Sequence, residues 1–168
     1  MNKYQDRIIE LRRMRAGDLR ANPKNWRRHP KAQQDAMRGV LKEVGFADAL
    51  LAYQTPEGLT LVDGHLRAGL EPDQEVPVLI LDLDETEAEK LLVTLDPLAA
   101  MAETDVDALN ALLADMTFSD ESITAMLDSI ANHEGVLVPE FDPVMDEPPR
   151  LDEKTPISCP ECGHEFTI

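Results

Sequence analysis

The run VPVLILDLD, residues 76–84, constrains this fold more than any other stretch of the chain. It is far shorter than the roughly 18 apolar residues of a membrane span. Being apolar nearly throughout, it predicts a strand covered on both faces, hence a central strand of a sheet. The segments before it supply neighbours. DRIIELRRM (6–14) mixes β-branched residues with alternating charge and predicts a first strand. ADALLAY (47–53) and LTLVD (59–63) predict two more, joined by QTPEG, whose Pro-Glu-Gly is turn chemistry. From Lys31 to Val44 the apolar positions Met37, Val40, Leu41 and Val44 fall at helical spacing, and Gly45 supplies a C-terminal stop. A short helix from about His65 to Leu70 follows the third strand. After the central run, Asp84 and Glu87 form a capping pair for a helix that buries Leu91, Leu92 and Leu95. The sum is an α+β domain over residues 1–97, a small mixed sheet with helices.

Residues 98–132 read as a helical extension. Thr104 precedes Val106, Leu109, Leu112, Leu113 and Met116, while Ser119 precedes Ile123, Met126, Leu127 and Ile130. Each set begins at an N-cap residue, and the two predict a helical hairpin packed on the domain, on a protein partner or on a second copy. Residues 133–155 are rich in proline and acids without apolar periodicity, which marks a linker. The tail, 156–168, contains CPECGHEF, in which Cys159, Cys162 and His164 have the spacing of half a zinc knuckle. Zn2+ takes four ligands, and the fourth would be His133, a carboxylate or the same motif from a second chain; a truncated, disordered ribbon remnant with free thiols reads equally well.

Charge is distributed unevenly along the 168 residues, whose net charge is −17. Residues 1–45 carry 12 Lys/Arg against 5 Asp/Glu, a balance of +7, and the rest carries 4 against 28, or −24. A basic N-terminal segment suits DNA and an acidic remainder suits a basic partner. Pairing of the two parts with each other is the alternative. No apolar leader and no membrane span is present in the sequence, and two cysteines make no disulfide framework, so a cytoplasmic location is expected.

Two short stretches carry the chemistry. In LVDGHLRAGL a strand meets Asp63-Gly64 and a helix begins, so backbone N–H groups converge as an anion site. Gly64 leaves room for a phosphate, His65 and Arg67 offer donors, and Asp63 is placed to hold Arg67, orient His65 or ligate Mg2+. The simpler alternative is a capped turn. In NPKNWRRHP, Asn22, Asn25, Arg27, Arg28 and His29 crowd around the only tryptophan, Trp26, as polar contacts for a base, sugar or phosphate. Here the alternative is a solvated loop with Trp26 as a core plug.

The order N-P-x-N-x-R, helix ending in Gly, strand pair, then D-G-H-x-R resembles the N-terminal domain of the ParB/sulfiredoxin superfamily over residues 7–95. That resemblance implies a nucleotide-binding module acting on or near DNA, in a standalone form found in phages and mobile elements. It implies a nucleoside triphosphate, CTP or ATP, with Mg2+, held by Gly64, His65 and Arg67 on one side and Asn22, Asn25, Arg27 and Arg28 on the other. Any turnover falls to Asp63 and His65, in an NTPase or a nuclease. The turn reads Gly-His-Leu-Arg where ParB has Gly-Glu-Arg-Arg, and position 65 is not the cysteine of sulfiredoxins. A metal-dependent nuclease, drawing on Asp63, Asp82 and Asp84, and a non-enzymatic adaptor remain as alternative readings.

Overall fold

The computed structural model describes residues 4–134, 157–158 and 165–166. The chain divides into two compact units, Met1–Val138 and Pro139–Ile168. In the first, β1 (Ile8–Arg15) leads through a 3-10 turn (Ala16–Asp18) to α1 (Lys31–Glu43). A hairpin of β2 (Leu50–Thr55) and β3 (Gly58–Asp63) comes next, then α2 (His65–Leu70) and β4 (Glu75–Leu81). Three helices follow: α3 (Glu85–Ala100), α4 (Val106–Ala114) and α5 (Glu121–Glu134).

The sheet is mixed, in the order β1-β4-β2-β3. β4 runs antiparallel to β1 and parallel to β2, while β2 and β3 are antiparallel. The apolar run 76–81 is thus an inner strand, and Val76 and Val78 are fully buried. Alternation along the strands feeds two cores. One face gathers Leu50, Ala52, Leu59, Leu61, Val76, Val78 and Ile80 with Ala68 of α2. The other joins Tyr53 and Val62 to Ala88, Leu91 and Leu95 of α3. The hairpin is tighter than QTPEG suggests. Only Pro56 and Glu57 turn, and Gly58, at φ 124°, already belongs to β3.

Local signals set the helix starts and stops. α1 ends where Gly45 takes φ 87° and its N–H reaches Leu41 O at 3.1 Å. α3 has the expected capping box. Glu87 N–H donates to Asp84 Oδ1 at 2.8 Å, and Asp84 N–H donates to Glu87 Oε2 at 3.0 Å. The helix runs through Pro97 in its last four residues, so the 97/98 boundary lies inside it. Two cap positions differ from expectation by one residue. Asp105, not Thr104, accepts from Ala108 N–H, and Asp120 caps α5, its carboxylate taking Ser122 N–H at 3.0 Å. Ser119 instead gives both its N–H and its hydroxyl to Glu43 Oε1, each at 2.7 Å. α5 does not form a hairpin with α4. It packs on α1, with buried Ile123 beside Gly39, whereas α4 buries no residue.

In the second unit β5 (Ile157–Ser158) pairs antiparallel with β6 (Glu165–Phe166). The linker beyond Glu134 and the Cys159, Cys162 and His164 set lie outside the described residues. No helix among the described residues is long and apolar enough to cross a membrane.

Candidate functional site

The loop after β1 and the turn after β3, some forty positions apart in sequence, meet at one pocket of about 460 Å³. Asn25, Arg27 and His29 line it from the loop, and Asp63, Gly64, His65 and Arg67 from the turn. Met37, Val40, Leu41 and Val44 of α1 supply an apolar wall. Leu92, Leu95 and Asp96 of α3 close another side. Asn22 and Arg28 are not among the lining residues.

Backbone geometry explains the turn. Gly64 adopts φ 89°, ψ 16°, a left-handed conformation that L side chains rarely take. A Cβ here would lie 2.6 Å from Leu50 Cγ, an inner-strand leucine with no exposed surface. The glycine is therefore required by the fold beneath the site, whatever it does for a ligand. Nearby, two asparagines fold the loop onto itself. Asn22 Oδ1 accepts from Lys24 N–H at 2.9 Å, and Asn25 Oδ1 accepts from Arg27 N–H at 3.1 Å, both side-chain turns of the Asx kind.

Asn22 also fixes the histidine. Its backbone N–H donates to His65 Nε2 at 3.1 Å, so Nε2 is unprotonated and Nδ1 carries the hydrogen. Burial pushes the His65 imidazole below its ordinary value of 6.5, against the pull of Asp63. His65 is thus a neutral donor rather than a cation. Arg67, with only 13% of its side chain exposed, is gripped twice: by Asp48 Oδ2 at 2.8 Å and by Asp63 Oδ2 at 3.0 Å. Arg27 Nε pairs with Asp96 Oδ2 at 2.8 Å while its guanidinium lies 4.5 Å from the Trp26 ring centroid. Trp26 is no core plug. It is 53% exposed and its Nε1–H donates to Leu92 O at 3.3 Å.

Two arginines therefore face three aspartates around the pocket. Asp48 and Asp96 carried no sequence signal, because a lone acid in a loop or on a helix gains meaning only when tertiary packing sets it beside an arginine. Asp82 and Asp84 do not join Asp63 there. Asp84 is engaged in capping α3, and Asp82 O accepts from Arg7. Among the described residues no group of three or more His, Cys, Asp or Glu is placed to hold a metal ion.

Comparison of the whole chain with solved structures finds ParB structures among its matches. A C-terminally truncated chromosome-partitioning protein ParB from Caulobacter crescentus, complexed with CTP-gamma-S, superposes with a TM-score of 0.50. It is 19% identical, over 76% of this chain and 72% of that one. The fold is ParB-like. Two further ParB structures match less closely. The same Caulobacter protein bound to its centromeric parS site gives a TM-score of 0.41 at 20% identity, over 73% and 70% of the two chains. A Pnob8-like ParB-N domain gives 0.44 at 14% identity, over 94% of this chain and 56% of that one. No protein-family model matches the sequence, and no curated protein matches it. The ParB-like architecture agrees with the superfamily that the N-P-x-N-x-R and D-G-H-x-R order resembles.

Proposed function

We propose that this ParB-like chain is a nucleotide-binding module acting on or near DNA, and that a nucleoside triphosphate occupies the pocket between the 22–29 loop and the Asp63–Arg67 turn. The observation that carries the reading is the convergence of these two segments on one pocket with an apolar wall and a polar rim. CTP is the first nucleotide to test, because the ParB structure of like fold was obtained with CTP-gamma-S. Arg67 and the Nδ1–H of His65 are the donors we assign to the phosphates, with Arg27 and Asn25 on the opposite rim. Asn22 acts through His65, whose tautomer it sets. The nucleotide is expected to bring a divalent cation of its own: Mg2+ offsets the charge of the triphosphate beside the aspartates and frees Arg67 for it. Asp63 is the carboxylate we assign to that ion, and any hydrolysis to Asp63 with His65. The exposed Leu98, Met101, Leu112 and Met116 give the helical region a surface suited to a protein partner.

Calorimetric titration of CTP, ATP, GTP and ADP, with and without Mg2+, tests this on wild type, Arg67→Ala and Asp48→Asn. Binding to wild type that is lost in Arg67→Ala and strengthened about three- to tenfold in Asp48→Asn supports the assignment, since Asp48 competes for the same guanidinium. Absence of binding to wild type by every nucleotide, with or without Mg2+, rejects it.

A further inference from the structure

We propose that residues 97–116, the end of α3 together with α4, form the docking face for a basic amphipathic helix of a partner protein. This takes up the partner surface assigned above, and none of these residues lines the nucleotide pocket. α4 holds seven Ala, Val or Leu among its nine residues, VDALNALLA, yet buries none of them. A helix this short is marginal by itself in water, because helical stability comes chiefly from packing an apolar face. No residue from 97 to 116 is buried; Val106, Leu109, Asn110 and Leu113 are half-buried and the others are exposed. Leu98 and Met101 are 63% and 75% exposed, Leu112 and Met116 54% and 44%.

Spacing gives the face its shape. Leu109, Leu112, Leu113 and Met116 fall at i, i+3, i+4 and i+7, one apolar stripe of a helix. Met116 continues the last turn, its N–H donating to Leu113 O at 3.3 Å. A stripe of this period is matched by a second helix that lays its own apolar stripe along it. Met101 and Met116, unbranched and polarizable, let the face adapt to the side chains it receives.

Charge selects the occupant. No Lys or Arg occurs between Lys90 and Arg150, whereas residues 97–116 include Glu103, Asp105, Asp107 and Asp115. Asp105 caps α4, and none of the four forms an ion pair with a described residue. Apolar positions set among uncompensated acids favour a partner that carries Lys and Arg beside its own apolar stripe. The same charge repels DNA phosphates and an anionic membrane surface. A second copy would bring the same acids to the contact. The segment that follows, 135–156, has six acids against Arg150 and Lys154, so it too carries the wrong sign. A cationic helix of another protein satisfies both the stripe and the charge.

Fluorescence anisotropy of a labelled synthetic helix of Leu and Lys in two heptads, titrated with the full chain in low salt, tests this. Its twin with Glu in place of Lys is the control. The samples are wild type, Leu112→Ser with Met116→Ser, and Glu103→Lys with Asp115→Lys. All four side chains are exposed, so both double variants should keep the fold, which circular dichroism checks. Wild type is expected to bind the Lys helix saturably and the Glu helix not at all. Either double variant should weaken that binding about tenfold or more. Hydrogen exchange of the complex should show new protection over 97–116. No binding of the Lys helix by about 100 μM chain, where even a micromolar contact is saturated, overturns the proposal. So does equal binding of the Glu helix, affinity that ignores both double variants, or protection confined to other segments. Duplex DNA or phosphatidylserine vesicles that protect 97–116 as well as the Lys helix does would also overturn it. CTP titration of the same samples reads the pocket separately and should be unchanged in both double variants, so either reading can fail without the other.

Discussion

At the scale of single residues, the site is held by atoms whose first duty is to the fold. Gly64 is the clearest case, for its left-handed backbone coincides with a Cβ position 2.6 Å from Leu50 Cγ. Gly64→Ala combines conformational strain with overpacking and is expected to cost about 2–3 kcal/mol, read by urea denaturation. Gly45 has nearly the same φ, 87°, with open space around it. Gly45→Ala should therefore cost only about 1 kcal/mol, the strain alone. His65 offers a second test. Burial disfavours its charged form, so the neutral imidazole belongs to the folded state. The folded protein takes up this proton only at lower pH than the unfolded chain does, so stability is full above about 6.5 and falls as pH drops below it. A 15N NMR titration should show His65 with protonated Nδ1, bare Nε2 and a midpoint below 6.5. A midpoint above that value would remove the neutral-donor assignment.

Among the elements, legibility in the sequence follows the range of the interaction. The start of α3 was readable because Asp84 and Glu87 act across three residues, and the end of α1 because Gly45 acts on the last turn. The docking of α5 on α1 was not readable. It depends on Ile123 meeting the notch at Gly39 and on Glu43 receiving Ser119, contacts between segments more than seventy residues apart. Ile123→Ala should cost about 2–4 kcal/mol and raise amide exchange along α5. A longer reach also loads the α3 cap. Arg7, just before β1, bonds both carboxylate oxygens of Glu87, at 2.8 and 2.7 Å. Those bonds, with the N–H of Asp84, hold the Glu87 carboxyl at about 2, well below its ordinary 4.5. The depressed value means that this stabilisation is present above about pH 4.5 and disappears as pH falls toward 2. Thermal melting of wild type and Glu87→Gln should therefore differ near pH 6 and converge toward pH 2. Curves that stay parallel throughout would show that the cap does not depend on the ion pair.

For the whole molecule, the charge split along the sequence overstates the positive field in space. Eight of the twelve cations in residues 1–45 form ion pairs: Arg7, Arg12, Arg15, Arg20, Lys24, Arg27, Lys31 and Arg38. Five of these reach acids beyond residue 45, such as Lys24 to Glu85 and Glu89 or Arg20 to Glu57. Linear sequence could set out the +7 and −24 balances but not their overlap, because the sheet order carries acidic turns and α3 back onto the basic segment. Of the described cations there, Arg13, Arg28 and Lys42 are left without an ion pair to a described residue. Salt dependence converts this into a number. Each phosphate neutralised contributes a slope of about −0.9 to log K against log salt on duplex DNA. Three free cations thus limit the N-terminal segment to a slope no steeper than about −3. Fluorescence anisotropy with a labelled duplex, from low to physiological salt, measures it directly. A slope within that limit means the paired cations stay paired on DNA. A much steeper one means that DNA phosphates displace the carboxylates, and Lys24→Ala, outside the unpaired trio, should then flatten it by about one unit.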